Sequence, residues 1–188
     1  MSGIVTLPSG RRLARLSVDQ YHEMIAADIL HSGDRLELLD GLLVEKPLKS
    51  PRQVTTRVML LQHLFKLPCD GFHIGADAPI TMDVVDSEPE PAISIVRGAI
   101  GDYRTAHPTP ADVLLVIDVV DSPHDQSNAA RYAAAGIARY LYVDVAGETM
   151  TLHEQPSADG YEKIADVESV DVVVDDAIVG TFAASDVF

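Results

Sequence analysis

Acidic residues stand inside or directly before predicted β-strands, where carboxylates are uncommon. Glu37 lies within LELL, Glu90 precedes the apolar run AISIV, and Asp118 interrupts VLLVIDVV. Asp is depleted in strands, and a buried carboxylate without a partner is costly. Acids that converge from neighbouring strands can hold a hard cation, which can activate water for phosphoryl transfer. The alternative is that Glu37 and Asp118 are separate carboxylates satisfied by backbone amides or cations, and spacing alone favours this alternative.

Other familiar catalytic signatures are absent from the sequence. It contains no phosphate-binding glycine loop, no nucleophile elbow and no paired CxxC motif. The seven histidines are scattered and form no short-range metal pair. The strand acids are therefore the candidate site.

The central element that must position these acids is the segment 113–145. An apolar run through Asp118 is followed by a polar turn, an Ala-rich segment that ends at Gly136, and a second apolar run that ends in Asp144. This order predicts a strand, a helix and a strand, which form a βαβ unit in a mixed sheet.

Local signals predict the other elements. Ser17 and Gln20 form a capping box, and Asp40-Gly41 between two short apolar runs predicts a tight hairpin. We expect strands at 72–82, 93–96, 149–153, 161–167 and 172–182. A helix is expected over 51–67, with a core-facing set formed by Val54, Val58, Leu61 and Phe65.

Length, charge and cysteine content limit the class of protein. The chain of 188 residues suits one α/β domain at 17–188, preceded by an arm at 1–16 that carries Arg11, Arg12 and Arg15. With 14 basic and 29 acidic residues, the net charge of −15 disfavours DNA as a partner through bulk electrostatics. Cys69 is the one cysteine, and it is expected to be inert. The absence of a signal-like or membrane-length apolar run favours a cytoplasmic protein without a membrane partner.

Several segments together resemble a known family. They are LSVDQYHEMIAADIL, GDRLELLDGLLVE, SEPEPAISIVR, HPTPADVLLVIDVVDS and YAAAGIARYLYVDV, and they follow one another from Leu16 to beyond Tyr161. They resemble the Uma-two family of putative restriction endonucleases, within the PD-(D/E)xK nuclease superfamily. The resemblance implies a restriction-endonuclease-like fold, a mixed sheet flanked by helices. It also implies metal-dependent phosphodiester hydrolysis. It further implies a homodimer, and the 47% hydrophobic content of this acidic chain supports that expectation.

The resemblance assigns site positions to particular residues. Its glutamate falls on Glu37 and is retained, and its strand glutamate falls on Asp118, a shorter carboxylate. Its aspartate, usually written Q-P-D-L, falls on Ala92. Its lysine, on the helix before Y-A-x-A-G-I, falls on Asn128, and a histidine that follows a Gly-Pro turn falls on Gln53. A metal-bridging carboxylate and a cation are thus replaced by a methyl group and a neutral amide.

Two functions fit this pattern. In the first, the chain is a catalytically degenerate member that keeps the scaffold for a binding role and needs no cofactor. In the second, it is an active Mg²⁺- or Mn²⁺-dependent DNA endonuclease. Its metal ligands would be Glu37, Glu90 and Asp118, and its substitute cation Arg131, three residues after Asn128 on the same helical side. Removing one preorganised electrostatic group from an active site costs ~10²–10³ in rate. The replacements at Ala92 and Asn128 therefore favour the catalytically degenerate function.

Overall fold

A mixed sheet forms the centre of the chain. The computed structural model describes residues 13–68, 70–121 and 127–188. The helices are α1 (Val18–Ala26), α2 (Pro51–Leu64) and α3 (Ser127–Ala135). The strands are β1 (Leu36–Leu39), β2 (Leu42–Glu45), β3 (Phe72–Ala76), β4 (Ile93–Arg97), β5 (Val113–Val120), β6 (Arg139–Asp144), β7 (Thr149–Ser157), β8 (Gly160–Asp166), β9 (Ser169–Val174) and β10 (Ala177–Ala183). Short 3₁₀ helices cover Ser32–Asp34, Asp83–Val85, Ile100–Tyr103, Pro110–Asp112 and Ala184–Asp186.

The central sheet has the order β3-β4-β5-β6-β7-β8 within the described residues. β5 and β6 are parallel, and their neighbours along the sheet pair antiparallel. The predicted βαβ unit in a mixed sheet is therefore confirmed. The strands β1 and β2 form a separate hairpin, as do β9 and β10.

Hydrophobic clusters cover both faces of this sheet. Leu115, Ile117 and Val119 of β5 pack in the same cluster as residues of α2, β9 and β10. Val116 and Val120 pack instead in the cluster that contains Tyr132 of α3. Because successive strand residues point to opposite faces, Asp118 shares the α3 face with Val116 and Val120. The sheet thus presents the predicted strand acid to the helix that follows it.

The local signals near the N-terminus are confirmed. The Ser17 hydroxyl accepts a hydrogen bond from the Gln20 amide, and the Gln20 side chain accepts one from the Ser17 amide. Asp40 and Gly41 both have positive φ, +50° and +75°, as a type I′ hairpin turn requires.

The core face predicted for α2 is wrong. Val54, Val58 and Phe65 are 47%, 43% and 62% exposed, and Leu61 is only partly buried. The residues that α2 buries are Thr56, Leu60 and Leu64. The exposed and the buried residues both repeat at helical spacing, so the sequence pattern alone does not show which of the two faces packs on the core.

Two strand predictions also differ from the structure. The strand expected at 72–82 ends at Ala76, because Asp77 adopts a positive φ of 48° and Pro79 follows. The single strand region expected at 172–182 is a hairpin whose turn residues, Asp175 and Asp176, have φ of 47° and 65°. Asp tolerates this left-handed conformation, although Asp-Asp is a weaker turn signal than Asp-Gly.

Some predictions fall outside the described residues. These are the arm over residues 1–12, Cys69 and the loop at 122–126. Residues 13–16 are described, and the Leu16 amide donates to the Gly41 carbonyl, at 2.8 Å. In the described ranges, no helix is long and apolar enough to span a membrane.

Candidate functional site

A cleft of about 750 Å³ brings most of the predicted site residues together. Glu37, Glu90, Ala92, Asp118 and Asn128 all line it. Its other lining residues are Arg35, Lys46, Pro47, Leu48, Lys49, Ser50, Gln53, Asp77, Pro89, Val119, Val120, Asp121 and Tyr132. The cleft is therefore built by the β1–β2 hairpin, the start of α2, the β4–β5 pair and the start of α3.

Asp118 lies opposite Ala92 at the centre of this cleft. Ile93 pairs with Ile117 across antiparallel β4 and β5, so the next pair in the same register is Ala92 with Asp118. Asp118 is 8% exposed. Its Oδ2 accepts hydrogen bonds from Asn128 Nδ2 at 3.2 Å and from the Tyr140 hydroxyl at 3.3 Å. Both of these donors are neutral.

The guanidinium of Arg131 is held by Asp40. Its Nε and Nη2 donate to the two Asp40 carboxylate oxygens at 3.2 and 2.8 Å, and its Nη1 donates to Asn128 Oδ1 at 2.6 Å. The Arg131 side chain is 9% exposed. Asp40, Arg131, Asn128 and Asp118 therefore form a continuous chain of hydrogen bonds, the Asp118 network. Arg131, the predicted substitute cation, is therefore paired with Asp40 in the turn of the β1–β2 hairpin.

The β1–β2 hairpin places Glu37 beside Glu90. The Glu88 amide donates to the Leu38 carbonyl at 2.7 Å, and the Glu90 amide donates to Glu37 Oε2 at 3.2 Å. The Glu90 carboxylate itself pairs with Lys46 Nζ at 2.8 Å. The contact between the two glutamates is therefore a hydrogen bond from the Glu90 backbone amide to the Glu37 carboxylate, and the Glu90 carboxylate is paired with Lys46.

Glu88, two residues before Glu90, points into a different part of the molecule. Its side chain is 4% exposed and lines a second cavity of about 580 Å³. Oε2 accepts a hydrogen bond from the Thr81 hydroxyl at 2.6 Å and lies 2.7 Å from His22 Nε2. Glu88 is therefore satisfied away from the cleft that contains Asp118.

The cleft also contains cations that were not predicted from the sequence. Lys46 pairs with Glu90, and Lys49 pairs with Asp77, which also binds Arg57. Arg35 also lines the cleft, and its Nη2 donates to the carbonyls of residues 46 and 47 at 2.9 Å each. The sequence feature that could have indicated them is KPLK at 46–49, directly after the hairpin, which places two lysines near the predicted acids. Lys46 and Lys49 are each balanced by an acid from within the cleft.

Burial and neighbouring charge disfavour the ionised forms of Glu37, Tyr132 and Tyr140. Burial raises the pKa of Glu37, and the charges of Asp118 and Glu90 raise it further, against the opposing Glu90 amide and Lys46. Burial also raises the pKa of Tyr140 and of Tyr132 well above 10.0, with Asp118 as the next contribution. The Tyr132 hydroxyl has no hydrogen-bond partner among the described residues. Both tyrosines therefore stay neutral beside Asp118.

We expect Glu37→Gln to stabilise the protein at neutral pH. A carboxyl whose pKa is raised by folding stabilises the native state below its ordinary pKa of 4.5, and that contribution is lost as the pH rises through the raised value. The amide cannot ionise and still offers an oxygen to the Glu90 amide. The variant should melt above wild type at neutral pH, and the difference should vanish below pH 4.5.

Thermal melts of both proteins across this pH range measure the effect. Glu45→Gln, which removes an exposed carboxylate from the same hairpin, is the matched control and should show little change. A Glu37→Gln variant that melts below wild type at neutral pH would contradict the assignment of Glu37 as a destabilising charge.

Comparisons with known proteins agree with this architecture. The fold resembles the crystal structure of a putative nuclease belonging to DUF820 from Anabaena variabilis ATCC 29413, with a TM-score of 0.66 and 13% identity. The alignment covers 92% of this chain and 97% of that chain. The likeness shows a mixed α/β fold of the kind found in that protein. The model of the Uma2 family, described as putative restriction endonuclease, matches residues 18–184, and the chain therefore belongs to this family. No curated protein matches the sequence.

The donors in the cleft do not fit a divalent metal ion, although restriction-endonuclease-like proteins generally use one. Such an ion needs several oxygen donors that converge on one point. Across residues 13–68, 70–121 and 127–188, no three His, Cys, Asp or Glu side chains are grouped to hold a metal. Ala92 offers a methyl group opposite Asp118, and the Glu90 carboxylate is paired with Lys46.

Proposed function

We propose that this Uma2 protein is catalytically degenerate, retains the nuclease scaffold and acts by binding. The observation that carries the proposal is the Asp118 network. The buried Asp118 carboxylate accepts hydrogen bonds from the neutral donors Asn128 and Tyr140, and Arg131 is tied to Asp40. In this arrangement Asp118 has a structural role as a hydrogen-bond acceptor beneath α3.

The electrostatic requirements of phosphodiester hydrolysis support the same proposal. The transition state gains negative charge, and enzymes stabilise it with preorganised cations or metal ions. The resemblance places an aspartate at Ala92 and a lysine at Asn128. With one such group worth ~10²–10³ in rate, the loss of both predicts a decrease of several powers of ten.

A second candidate function is an active Mg²⁺- or Mn²⁺-dependent DNA endonuclease. Glu37, Glu90 and Asp118 line one cleft, and Lys46 supplies a cation that lies 2.8 Å from the Glu90 carboxylate. In this alternative, Lys46 and not Arg131 is the cation of the site, because Arg131 is held by Asp40.

Nicking of supercoiled plasmid in Mg²⁺ or Mn²⁺ separates the two functions. We expect wild type to nick no faster than Asp118→Ala. Asp159→Ala, which removes an exposed carboxylate from the turn between β7 and β8, is the matched control for charge. Nicking by wild type and by Asp159→Ala that is lost in both Asp118→Ala and Lys46→Met would establish the endonuclease instead.

A further inference from the structure

The hydroxyl group of Tyr132 is a buried polar group that has no hydrogen-bond partner among the described residues. Tyr132 of α3 lines the cleft that contains Asp118, and its side chain is fully buried. Burial contributes most to the raised pKa of this hydroxyl, and the charges of Asp118 and Glu37 raise it further, so the hydroxyl lies within the field of two carboxylates of the cleft. Because buried polar groups are nearly always hydrogen-bonded, an unpartnered one marks a position where a bound group is expected.

The side chains that line the cleft carry an excess of negative charge. Five of them are acidic and three are basic, namely Glu37, Asp77, Glu90, Asp118 and Asp121 against Arg35, Lys46 and Lys49. Each of the three cations already has a partner within the chain. Lys46 pairs with Glu90. Lys49 pairs with Asp77, and Arg35 donates to the carbonyls of residues 46 and 47. The cleft therefore attracts a positively charged group more strongly than a phosphate.

Glu37 of β1 offers a carboxylate to such a group. Its Oε2 accepts a hydrogen bond from the Glu90 amide at 3.2 Å, and an ionised carboxylate has about four acceptor positions. Burial raises the pKa of Glu37, and the charges of Asp118 and Glu90 raise it further. A cation bound beside Glu37 would offset this repulsion and favour the ionised carboxylate. The site therefore gains more from a cationic ligand than from a neutral one.

The size and the apolar lining of the cleft fit a small organic molecule. Its volume of about 750 Å³ lies within the roughly 300–1,000 Å³ of small-molecule sites. The apolar part of the lining is formed by Pro47, Leu48, Pro89, Ala92, Val119 and Val120. Leu48 is 82% exposed, so a ligand can bury apolar surface there. An ammonium or guanidinium group donates several hydrogen bonds to separate acceptors, whereas a divalent metal ion needs oxygen donors that converge on one point.

We propose that the cleft binds a small organic cation, a primary ammonium or guanidinium group on an aliphatic stem, and this proposal rests on the binding function described above. The cation lies between the carboxylates of Glu37 and Asp118. One of its N–H groups donates to the hydroxyl of Tyr132, and the stem packs against the apolar lining near Leu48. The carboxylates that hold the cation also disfavour the phosphates of DNA.

Calorimetric titration of the full chain with agmatine, which carries an ammonium and a guanidinium group, tests the proposal. We expect saturable binding of agmatine and of putrescine, and none of 1,4-butanediol, which has a similar length without charge. Glu37→Gln should raise the Kd of agmatine by about 10-fold or more, the loss expected for a charge-assisted hydrogen bond. Glu45→Gln, an exposed position of the same hairpin outside the cleft, should bind as wild type does. Because Glu37→Gln is expected to melt above wild type, its weaker binding would not result from misfolding.

Tyr132→Phe tests the position of the cation. The variant should melt no lower than wild type without ligand, because it removes an unpartnered hydroxyl, and it should raise the Kd of agmatine by roughly 2–10-fold. The proposal would be overturned by wild type that binds neither amine, by butanediol that binds as tightly as putrescine, or by an unchanged Kd in Glu37→Gln. Nicking of plasmid by wild type would instead overturn the binding function itself, whatever the amine titrations show.

Discussion

Ala92→Asp combined with Asn128→Lys is expected to create a divalent-metal site that wild type lacks. Ala92 faces Asp118 in the register of β4 and β5, and Glu37 lines the same cleft. The new aspartate would add a second carboxylate next to Asp118, and the new lysine would replace the neutral amide of Asn128. Three acids at one end of the sheet then offer the oxygen donors that Mg²⁺ and Mn²⁺ prefer.

The single substitution Ala92→Asp should destabilise the protein when metal is absent. It places a carboxylate in a partly buried position beside the charge of Asp118, so like-charge repulsion and desolvation act together. A loss of roughly 1–3 kcal/mol in the free energy of unfolding is expected. Metal should reverse this loss because it binds only the native state.

Thermal melts of the double variant with and without Mn²⁺ measure how much the metal stabilises the protein. At a metal concentration 100 times Kd, binding contributes about 2.7 kcal/mol. For a chain of this size that corresponds to a rise of roughly 5–10 °C in Tm. Ala92→Asn with Asn128→Lys is the matched control, since the amide has the same shape without the charge, and it should show a much smaller shift. Melting curves of the Asp–Lys variant that coincide with and without metal would show that positions 92 and 128 do not complete a metal site with Asp118.

Asp40→Asn is expected to destabilise the protein through Arg131. The Arg131 side chain is 9% exposed, and its guanidinium donates two hydrogen bonds to the Asp40 carboxylate. Loss of that charge leaves a buried cation without its counter-ion. Asp40 is itself 48% exposed, so solvent screens part of the effect, and we expect a loss of roughly 1–3 kcal/mol. Asn tolerates the positive φ at position 40, so the turn is kept.

A double-mutant cycle in urea isolates this pair. Arg131→Met keeps much of the apolar stem and removes the charge, so Asp40→Asn should cost little in the Arg131→Met background. The expected coupling energy is about 1 kcal/mol or more, as for contacting residues in one network. If Arg131 instead served the cleft as a free cation, the two substitutions would be additive within about 0.5 kcal/mol.

The elements that local chemistry specifies could be predicted from the sequence. The Ser17–Gln20 capping box and the Asp40-Gly41 turn depend on neighbours within a few residues. The βαβ unit depends on a long apolar run and a helix of small residues. The core face of α2 could not be predicted, because Val54, Val58, Leu61 and Phe65 repeat as regularly as the buried Leu60 and Leu64, and tertiary packing decides between them.

The candidate site was predictable only in part, for a similar reason. The segments that resemble the family aligned Glu37, Ala92, Asp118 and Asn128, and the structure brings them into one cleft. The partners of these residues come from distant parts of the chain. Arg131 meets Asp40 across 91 positions and Lys46 meets Glu90 across 44, and no periodic pattern links either pair. The sequence therefore predicted which residues meet in the cleft, but not that Arg131 is paired with Asp40.

Calorimetric titration of wild type with Mn²⁺ decides whether the cleft is a metal centre. We expect no saturable binding, because Ala92 supplies no carboxylate opposite Asp118 and Lys46 pairs with the carboxylate of Glu90. The heats should match those of Asp118→Ala titrated in the same way. Saturable binding to wild type that disappears in Asp118→Ala would show instead that Asp118 is a metal ligand and that the cleft is a metal centre.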